Sequence, residues 1–304
     1  MQMLDTHLLS NADFIGAILC NLEYIQTVIS NKKDVFYNVP AGFDIETSSF
    51  YNHDLKCAIT YEWTFGIGFI KDGEFSRLKT YGRTWDQFYI LLDAVSKILE
   101  LSSKKRLVVY VHNLPYEWQF MRKHFSWTKV FFIDERKPVY AINSMNVEFR
   151  CSLKLSGKSL AKTAKDLVKY KSKKMVGDLD YSLIRTPETP LTPTELGYCE
   201  ADVDVILCYI QEKIEQEGDI THIPLTKTGY VRRYCKNACF QREELSQNED
   251  PYAELDFERP GISRAERMFS RRIYSRQCPP DWDYASESSL VRLLQFISGC
   301  NDSV

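Results

Sequence analysis

The alternation of apolar and polar residues predicts strands and helices along most of the chain. Residues 38–46 are predicted to form a buried strand. Further strands are predicted over "CAITYEWTFGIGFI", and the Asp-Gly pair of "KDGEF" then predicts a hairpin turn. "TWDQFYILLDAVSKILELS" has apolar residues at helical spacing, "RLVVYVHN" is another buried strand, and "PYEWQFMRKHF" begins a helix at its proline. Further strands are predicted around 128–133 and 146–151. The pattern indicates an α/β fold with a central mixed β-sheet flanked by helices.

The clearest helix in the chain is "LTPTELGYCEADVDVILCYIQEKIEQEG". Thr192 is the predicted N-cap, with Pro193 in the first turn and Glu195 completing a capping box. Gly218 is predicted to end the helix.

Composition and charge narrow the protein class without naming a function. The 304 residues are 44% apolar and 26% charged, and a net charge of −2 gives no global sign of nucleic-acid binding. The nine cysteines are scattered, which indicates reduced thiols rather than disulfides or a zinc module. The first residues lack the basic segment and apolar core typical of a signal peptide, and no apolar run approaches the length of a membrane span. We therefore expect a cytoplasmic protein with no membrane partner.

Candidate chemistry begins with "AGFDIETSSF", where Asp44 and Glu46 lie two apart on a predicted strand. Side chains two apart on a strand point the same way, so these like charges repel unless a cation lies between them. Tyr198 and Asp202 share one face of the capped helix, and Glu117 follows the strand "RLVVYVHN". Such carboxylates suit two Mg²⁺ or Mn²⁺ ions for phosphodiester hydrolysis. Taken singly, the same residues also fit an exposed strand end, a surface hydrogen bond and a solvated first-turn acid.

Three motifs resemble a known family. "FDIET", "HNLPYEWQF" and "YCEAD" are similar, in the same order, to the exonuclease motifs of family B DNA polymerases. "CSLKLSGKSLAKTAKDL", "VGDLDY" and "IPLTKTGYVRR" resemble the protein-primed subgroup of phages and linear plasmids. The resemblance covers roughly residues 38–240. It implies an RNase H-like exonuclease fold of the DEDD class, in the branch that uses a tyrosine.

The resemblance also implies roles for individual residues. Asp44, Glu46 and Asp202 correspond to the metal ligands, and Tyr198 to the residue that orients the attacking water. Glu117 occupies the second-motif position where the family usually has Asp. Val176 stands where the family has its catalytic lysine, so Lys174 is the predicted substitute. The predicted contacts to the 3′ end of single-stranded DNA are Thr47, Asn113, Tyr116, Ser152 and Leu153.

A lysine-rich stretch follows the second motif and has two interpretations. It is either a phosphate track beside the site, with Tyr116 or Phe120 stacking frayed bases, or a solvated face. Asp166 is the only acid among its lysines, which are Lys154, Lys158, Lys162, Lys165, Lys169, Lys171, Lys173 and Lys174.

The resemblance divides the chain into four parts. We predict a lead-in over 1–37, a 3′–5′ exonuclease domain over 38–220, the helical start of a polymerase part over 221–260, and a tail over 261–304. The tail is interpreted as a frame-shifted or disordered ending, or alternatively as a basic helix. The palm motifs of a polymerase do not occur in the sequence. The rival interpretations are a non-catalytic remnant that binds single-stranded DNA or a polymerase subunit, and a complete polymerase whose other half is a separate chain. The predicted partners are the 3′ end of single-stranded DNA, a separate polymerase half and a terminal priming protein.

Overall fold

The computed structural model describes residues 8–173, 175, 180 and 183–248, with side chains as far as residue 238. The chain divides into units 1–240 and 241–304, and most of the described residues belong to the first. The strands are β1 (Leu8–Leu9), β2 (Thr27–Ile29), β3 (Val35–Tyr37), β4 (Ala41–Asn52), β5 (Leu55–Lys71), β6 (Glu74–Gly82), β7 (Lys105–Val111), β8 (Trp127–Asp134), β9 (Lys137–Asn143) and β10 (Val147–Cys151). The helices are α1 (Asn11–Cys20), α2 (Trp85–Ile98), α3 (Leu114–Met121), α4 (Ser152–Ser156), α5 (Leu160–Asp166), α6 (Pro193–Glu217) and α7 (Lys227–Asn248).

The strands form one mixed sheet in the order β1-β6-β5-β4-β7-β10-β9-β8. Strands β4, β5 and β6 are an antiparallel meander, and β4, β7 and β10 are parallel neighbours. The central order β6-β5-β4-β7-β10, with these directions, is the arrangement expected of an RNase H-like fold. The predicted α/β fold with a central mixed sheet flanked by helices is therefore confirmed.

Strand β7 shows how the two faces of the sheet are covered. Its side chains alternate, so Leu107, Val109 and Val111 enter one apolar core while Val108 and Tyr110 enter the other. The first core includes residues of α1, α2 and α3, and the second includes residues of α4, α5 and α6. Each fully buried aliphatic side chain contributes about 1.5–3 kcal/mol to such a core.

Two glycines set the distance between α6 and the sheet. A Cβ atom on Gly66 would lie 3.0 Å from Cδ1 of Leu207 and 3.1 Å from Cγ1 of Val203. A Cβ on Gly42 would lie 3.2 Å from Cγ2 of Ile206. These separations are too short for ordinary packing, so the missing side chains allow α6 to lie close against β4 and β5.

The local signals in the sequence match the structure at several element ends. Thr192 and Glu195 form the predicted capping box of α6, and Gly218 follows the helix with a positive φ of 91°. Asp72 and Gly73 both have positive φ in the β5–β6 turn, as the Asp-Gly hairpin predicts. Strands β8 and β10 lie where strands were predicted. Strand β9 was not predicted, because a proline such as Pro138 argues against a strand. In the structure, Pro138 lies where the pairing of β9 with β8 becomes irregular, near the end of the two strands.

The ends of the first unit also carry regular structure. Within the predicted lead-in, Phe14 and Ile18 of α1 are fully buried in the first core, and β3 pairs with β7. Helix α7 lies within the predicted helical segment 221–260. The predicted tail, residues 261–304, is outside the described residues. No helix in the described part of the chain has the length and apolar content to cross a bilayer.

Candidate active site

The candidate site lies where the parallel strands β4, β7 and β10 end at one edge of the sheet. Strand β4 pairs with β7 only at Gly42 and Phe43, so its next residues extend past the carboxyl end of β7. The chain enters α3 just after β7 and α4 directly after β10. The carboxyl ends of parallel strands are the usual position of binding crevices in open sheets of α/β proteins. The segments that contain the first two predicted motifs therefore lie near this edge. The third motif is on α6, which packs against β4 and β5.

Three carboxylates converge at this edge, and we call Asp44, Glu46 and Asp202 the acid cluster. One carboxylate oxygen from each residue lies within 4.8 Å of the others. Asp44 and Glu46 are half-buried on β4, and Asp202 is buried on α6. Like charges so close raise one another's free energy, and a divalent cation with oxygen ligands would offset that repulsion. The acid cluster could therefore hold a metal ion.

Glu117 lies beside the acid cluster, in the first turn of α3. Its side chain is buried, and its pKa is raised well above the usual range by that burial and by the charge of Glu46. Its Oε2 atom is buried and has no hydrogen-bond partner among the described residues. An additional carboxylate oxygen of this kind suits a hard cation such as Mg²⁺ or Mn²⁺. The donor set at the site thus fits the predicted ions, although Glu117 is not one of the three converging carboxylates.

Tyr198 and Asp202 lie one turn apart on α6. Both side chains are buried. Because they share a helix face, the phenol is carried on the same side of α6 as the carboxylate of the acid cluster. The role of Tyr198 in orienting water stays a prediction.

Two of the predicted DNA contacts meet each other in the structure. The hydroxyl groups of Thr47 and Tyr116 are 2.5 Å apart and hydrogen-bonded, which joins β4 to α3. The Tyr116 ring also lies 5.3 Å from that of Phe120, between centroids. Asn113 precedes α3 with a left-handed backbone, φ 78°, and its carbonyl accepts a hydrogen bond from the Tyr116 amide. This conformation turns the chain from β7 into α3.

The remaining predicted residues differ in their exposure. Ser152 is buried; its hydroxyl donates to the Val111 carbonyl at 3.3 Å and lies 3.1 Å from Nδ1 of His112. Leu153 is half-buried and packs against the first core. Their contacts with DNA stay predictions. Lys174 lies outside the described residues.

One buried acid near the site was not predicted. Glu62 of β5 is fully buried in register with Glu46, and the Thr64 hydroxyl donates to it at 2.6 Å. Burial raises the pKa of Glu62 to about 7. Burial also raises the pKa of the Cys199 thiol, and the charges of Glu62 and Glu46 raise it further. A glutamate inside the apolar strand "TYEWTFGIGF" is the signal that could have identified Glu62.

The described lysines of the lysine-rich stretch are all exposed. Lys158 pairs with Asp166 at 2.5 Å, and Lys169 pairs with Glu215 at 2.8 Å. These pairs show that at least part of the stretch has acidic partners within the protein. Exposed ion pairs contribute little free energy, so a phosphate could still compete for these cations.

A second charged group joins helix α6 to strand β6, and we call it the ion-pair cluster: Arg77 and Lys79 of β6 with Glu200 and Asp204 of α6. The Lys79 ammonium lies 2.6 Å from Glu200 and 2.7 Å from Asp204, and Arg77 lies 2.5 Å from Asp204. The Lys79 side chain is only 6% exposed. Each charge in this cluster faces an opposite charge.

Comparisons with known proteins give a partial likeness. No protein-family model and no curated protein sequence matches the chain. A solved structure of phi29 DNA polymerase complexed with single-stranded DNA aligns with a TM-score of 0.48 and 17% identity, over 69% of this chain and 36% of that one. Phi29 DNA polymerase complexed with primer-template DNA and incoming nucleotide aligns at 0.45 and 18%, over 68% and 35%. The chain thus spans about a third of the polymerase, and TM-scores below 0.5 do not establish a common fold. The fold assignment rests on the strand order described above.

Proposed function

We propose that the chain is a metal-dependent 3′–5′ exonuclease that removes nucleotides from the 3′ end of single-stranded DNA. The observation that carries the proposal is the convergence of Asp44, Glu46 and Asp202 within 4.8 Å. A solvated surface does not need three carboxylates at this separation, whereas hydrolysis assisted by two metal ions does.

Each residue of the site has a task in this proposal. Asp44, Glu46 and Asp202 hold Mg²⁺ or Mn²⁺, and Glu117 adds a carboxylate at their side. When bound, two such ions activate the attacking water and stabilise the charge on the leaving 3′ oxygen. Tyr198 orients that water through its hydroxyl. Lys174 is proposed as the cation for the scissile phosphate, in place of the family's lysine.

The 3′ end of the strand is held by groups around the acid cluster. Thr47 and Tyr116, already hydrogen-bonded to each other, offer a hydroxyl pair to the terminal nucleotide. Asn113, Ser152 and Leu153 complete the proposed contacts. Tyr116 and Phe120 supply aromatic faces for bases, a sequence-tolerant mode of single-strand binding.

The wider setting is proposed from the sequence resemblance. Residues 38–220 are the exonuclease domain of a protein-primed family B DNA polymerase, and 221–260 begin its polymerase part. A separate polymerase half and a terminal priming protein are its proposed partners, in the cytoplasm of a host cell.

The direct test uses the full chain and single-stranded DNA labelled at its 5′ end. With Mg²⁺ or Mn²⁺ we expect a ladder that shortens one nucleotide at a time from the 3′ end, and no cleavage in EDTA. A substrate whose 3′ terminal linkage is a phosphorothioate should be cleaved more slowly. Binding of the strand without any ladder in either metal would contradict the proposal and favour the non-catalytic remnant, for which the Glu at position 117 is the supporting feature.

A further inference from the structure

The antiparallel pair formed by β4 and β5 continues beyond the neighbouring strands of the sheet as a two-stranded ribbon. We call this ribbon, residues 47–60, the hairpin arm. β4 pairs with β7 only as far as Phe43, and β5 pairs with β6 only from Trp63 onward. Among the described residues, the arm strands therefore pair only with each other. The tip is a two-residue turn, His53 and Asp54, with φ angles of 45° and 63°.

The base of the arm is fixed on both of its faces. On one face, Thr47 is hydrogen-bonded to Tyr116 at 2.5 Å. On the other face, the Ser48 hydroxyl accepts a hydrogen bond from the backbone amide of Arg185 at 2.8 Å. Arg185 is itself buried and bonded to Glu195 at 2.6 Å. The arm thus has a fixed direction as it leaves the acid cluster.

One face of the arm continues directly from the proposed DNA-binding residues. Since side chains alternate along a strand, Thr47, Ser49 and Tyr51 share a face, opposite the one that carries Asp44 and Glu46. The residues in register with Ser49 and Tyr51 are Ala58 and Lys56. Ser49 and Ala58 are small and exposed, so they leave an open floor between Thr47 and Tyr51. This floor is roughly 14 Å long, at about 3.4 Å per residue.

The far end of this face pairs an aromatic ring with a cation. Tyr51 is 75% exposed, one of the most exposed large apolar side chains among the described residues. Lys56 is exposed and directly opposite it in the register. An exposed ring beside an ammonium group has the chemistry that binds single-stranded nucleic acid: the ring stacks on a base and the cation contacts the adjoining phosphate.

We propose that this face of the hairpin arm is a second binding site for single-stranded DNA, with a base stacked on Tyr51 and a phosphate on Lys56. The proposal rests on the proposed exonuclease function for the direction of the strand. The 3′ end lies at the acid cluster. In its 5′ direction the strand passes the hydroxyl pair of Thr47 and Tyr116, where β4 extends past β7, and then runs along Ser49 and Ala58 to Tyr51. The site would favour long strands over dinucleotides, because a dinucleotide held at the acid cluster ends before the ring.

The test measures the Kd of the full chain for a long oligothymidylate in EDTA, and hydrolysis of a dinucleotide in Mg²⁺ or Mn²⁺. Tyr51→Ala should raise the Kd of the long strand about 5-fold or more. Tyr51→Phe, which keeps the ring, should bind like the parent. Lys56→Gln should reduce the salt dependence of binding by about one phosphate contact, a change of about 0.7 in the slope. Dinucleotide hydrolysis should be the same in all of these variants.

Leu55→Ala provides the matched control. Leu55 is 70% exposed on the same arm, but it is in register with Asn52 and lies on the opposite face. Its replacement should leave the Kd unchanged. The proposal is overturned if Tyr51→Ala binds the long strand as the parent does, if Leu55→Ala weakens binding equally, or if the parent does not bind the strand. A parent that binds in the predicted manner yet cleaves nothing would contradict the exonuclease function and leave the second site supported.

Discussion

Helix α6 presents carboxylates to the sheet in two places. In one place they face opposite charges, and in the other they face like charges. In the ion-pair cluster, Glu200 and Asp204 meet the ammonium of Lys79 at 2.6 and 2.7 Å. In the acid cluster, Asp202 meets two other carboxylates within 4.8 Å. Glu200, Asp202 and Asp204 are all acids, spaced two residues apart on one helix. Neither helix propensity nor composition therefore distinguishes the ion-pair cluster from the acid cluster.

The difference lies in the strands that each group faces. Strand β6 offers Lys79, whereas β4 offers Asp44 and Glu46. Opposite charges brought together on folding contribute to stability, and like charges brought together reduce it. A divalent cation with oxygen ligands could offset the repulsion in the second arrangement. The comparison leads to four expectations.

Replacing the acids of β4 should have the largest effect, and it should act on activity alone. Asp44→Ala combined with Glu46→Ala removes two of three converging carboxylates, so we expect nuclease activity to be abolished. Because their mutual repulsion disappears as well, the free energy of unfolding in EDTA should be unchanged or slightly higher. A gel assay and urea denaturation measure the two quantities. Cleavage at the parent rate would show that the acid cluster is not the metal site.

The same type of change in the ion-pair cluster should act on stability instead. Lys79→Met leaves Glu200 and Asp204 without their shared ammonium in a buried place, and breaking a buried pair in this way costs about 3–5 kcal/mol. The matched control is Lys97→Met, whose partner Asp93 lies on an exposed face of α2, where a pair is worth about 0.5 kcal/mol or less. Equal losses in the two variants would remove the distinction between the clusters.

Glu62 tests the free-energy cost of a buried acid in register with the acid cluster. Its pKa rises from an ordinary 4.5 to about 7, so the folded state binds the proton more tightly and stability falls as the pH increases between those values. At about 1.4 kcal/mol per pKa unit, the full cost above pH 7 is about 3 kcal/mol. Glu62→Gln should therefore gain stability relative to the parent at pH 8 and little at pH 4. A constant difference across this range, measured by urea denaturation, would contradict the assignment.

Tyr198→Phe should have the smallest effect. It removes one hydroxyl that positions water, so we expect the cleavage rate to fall about 10-fold, below the loss typical of a proton-transfer group. The Kd for single-stranded DNA should stay the same, as measured by anisotropy in EDTA. Weaker binding with an unchanged rate at saturating DNA would make Tyr198 a DNA contact.

The parts of the fold that local chemistry dictates could be predicted from the sequence. Thr192 and Glu195 define the start of α6 through hydrogen bonds three residues apart, and Gly218 ends it with a positive φ. The alternation that put Asp44 and Glu46 on one face also predicted two members of the acid cluster. Asp202 was a candidate from its helix face, but its ligand role beside Asp44 and Glu46 came from the resemblance, because no periodicity relates a strand near the start of the chain to a helix near residue 200.

The parts that depend on distant contacts could not be predicted. Glu62 was missed since its burial depends on β4 and α6 covering β5. The length of the hairpin arm was missed because the sequence pattern does not show that β4 outruns β7. The helical residues Phe14 and Ile18 were described as part of a lead-in, although they complete a core whose other members come from the sheet.

Gly42 and Gly66 have a further consequence for how this site can evolve. Asp202 is carried by a rigid helix, so any change in the gap between helix and sheet moves its carboxylate relative to those of β4. A single methyl group on Gly66 would lie 3.0 Å from Cδ1 of Leu207, so either that side chain or the helix that carries it would have to give way by a few tenths of an ångström. The two glycines therefore set the spacing of the acid cluster, and small changes at these positions could alter that spacing without replacing any of its carboxylates.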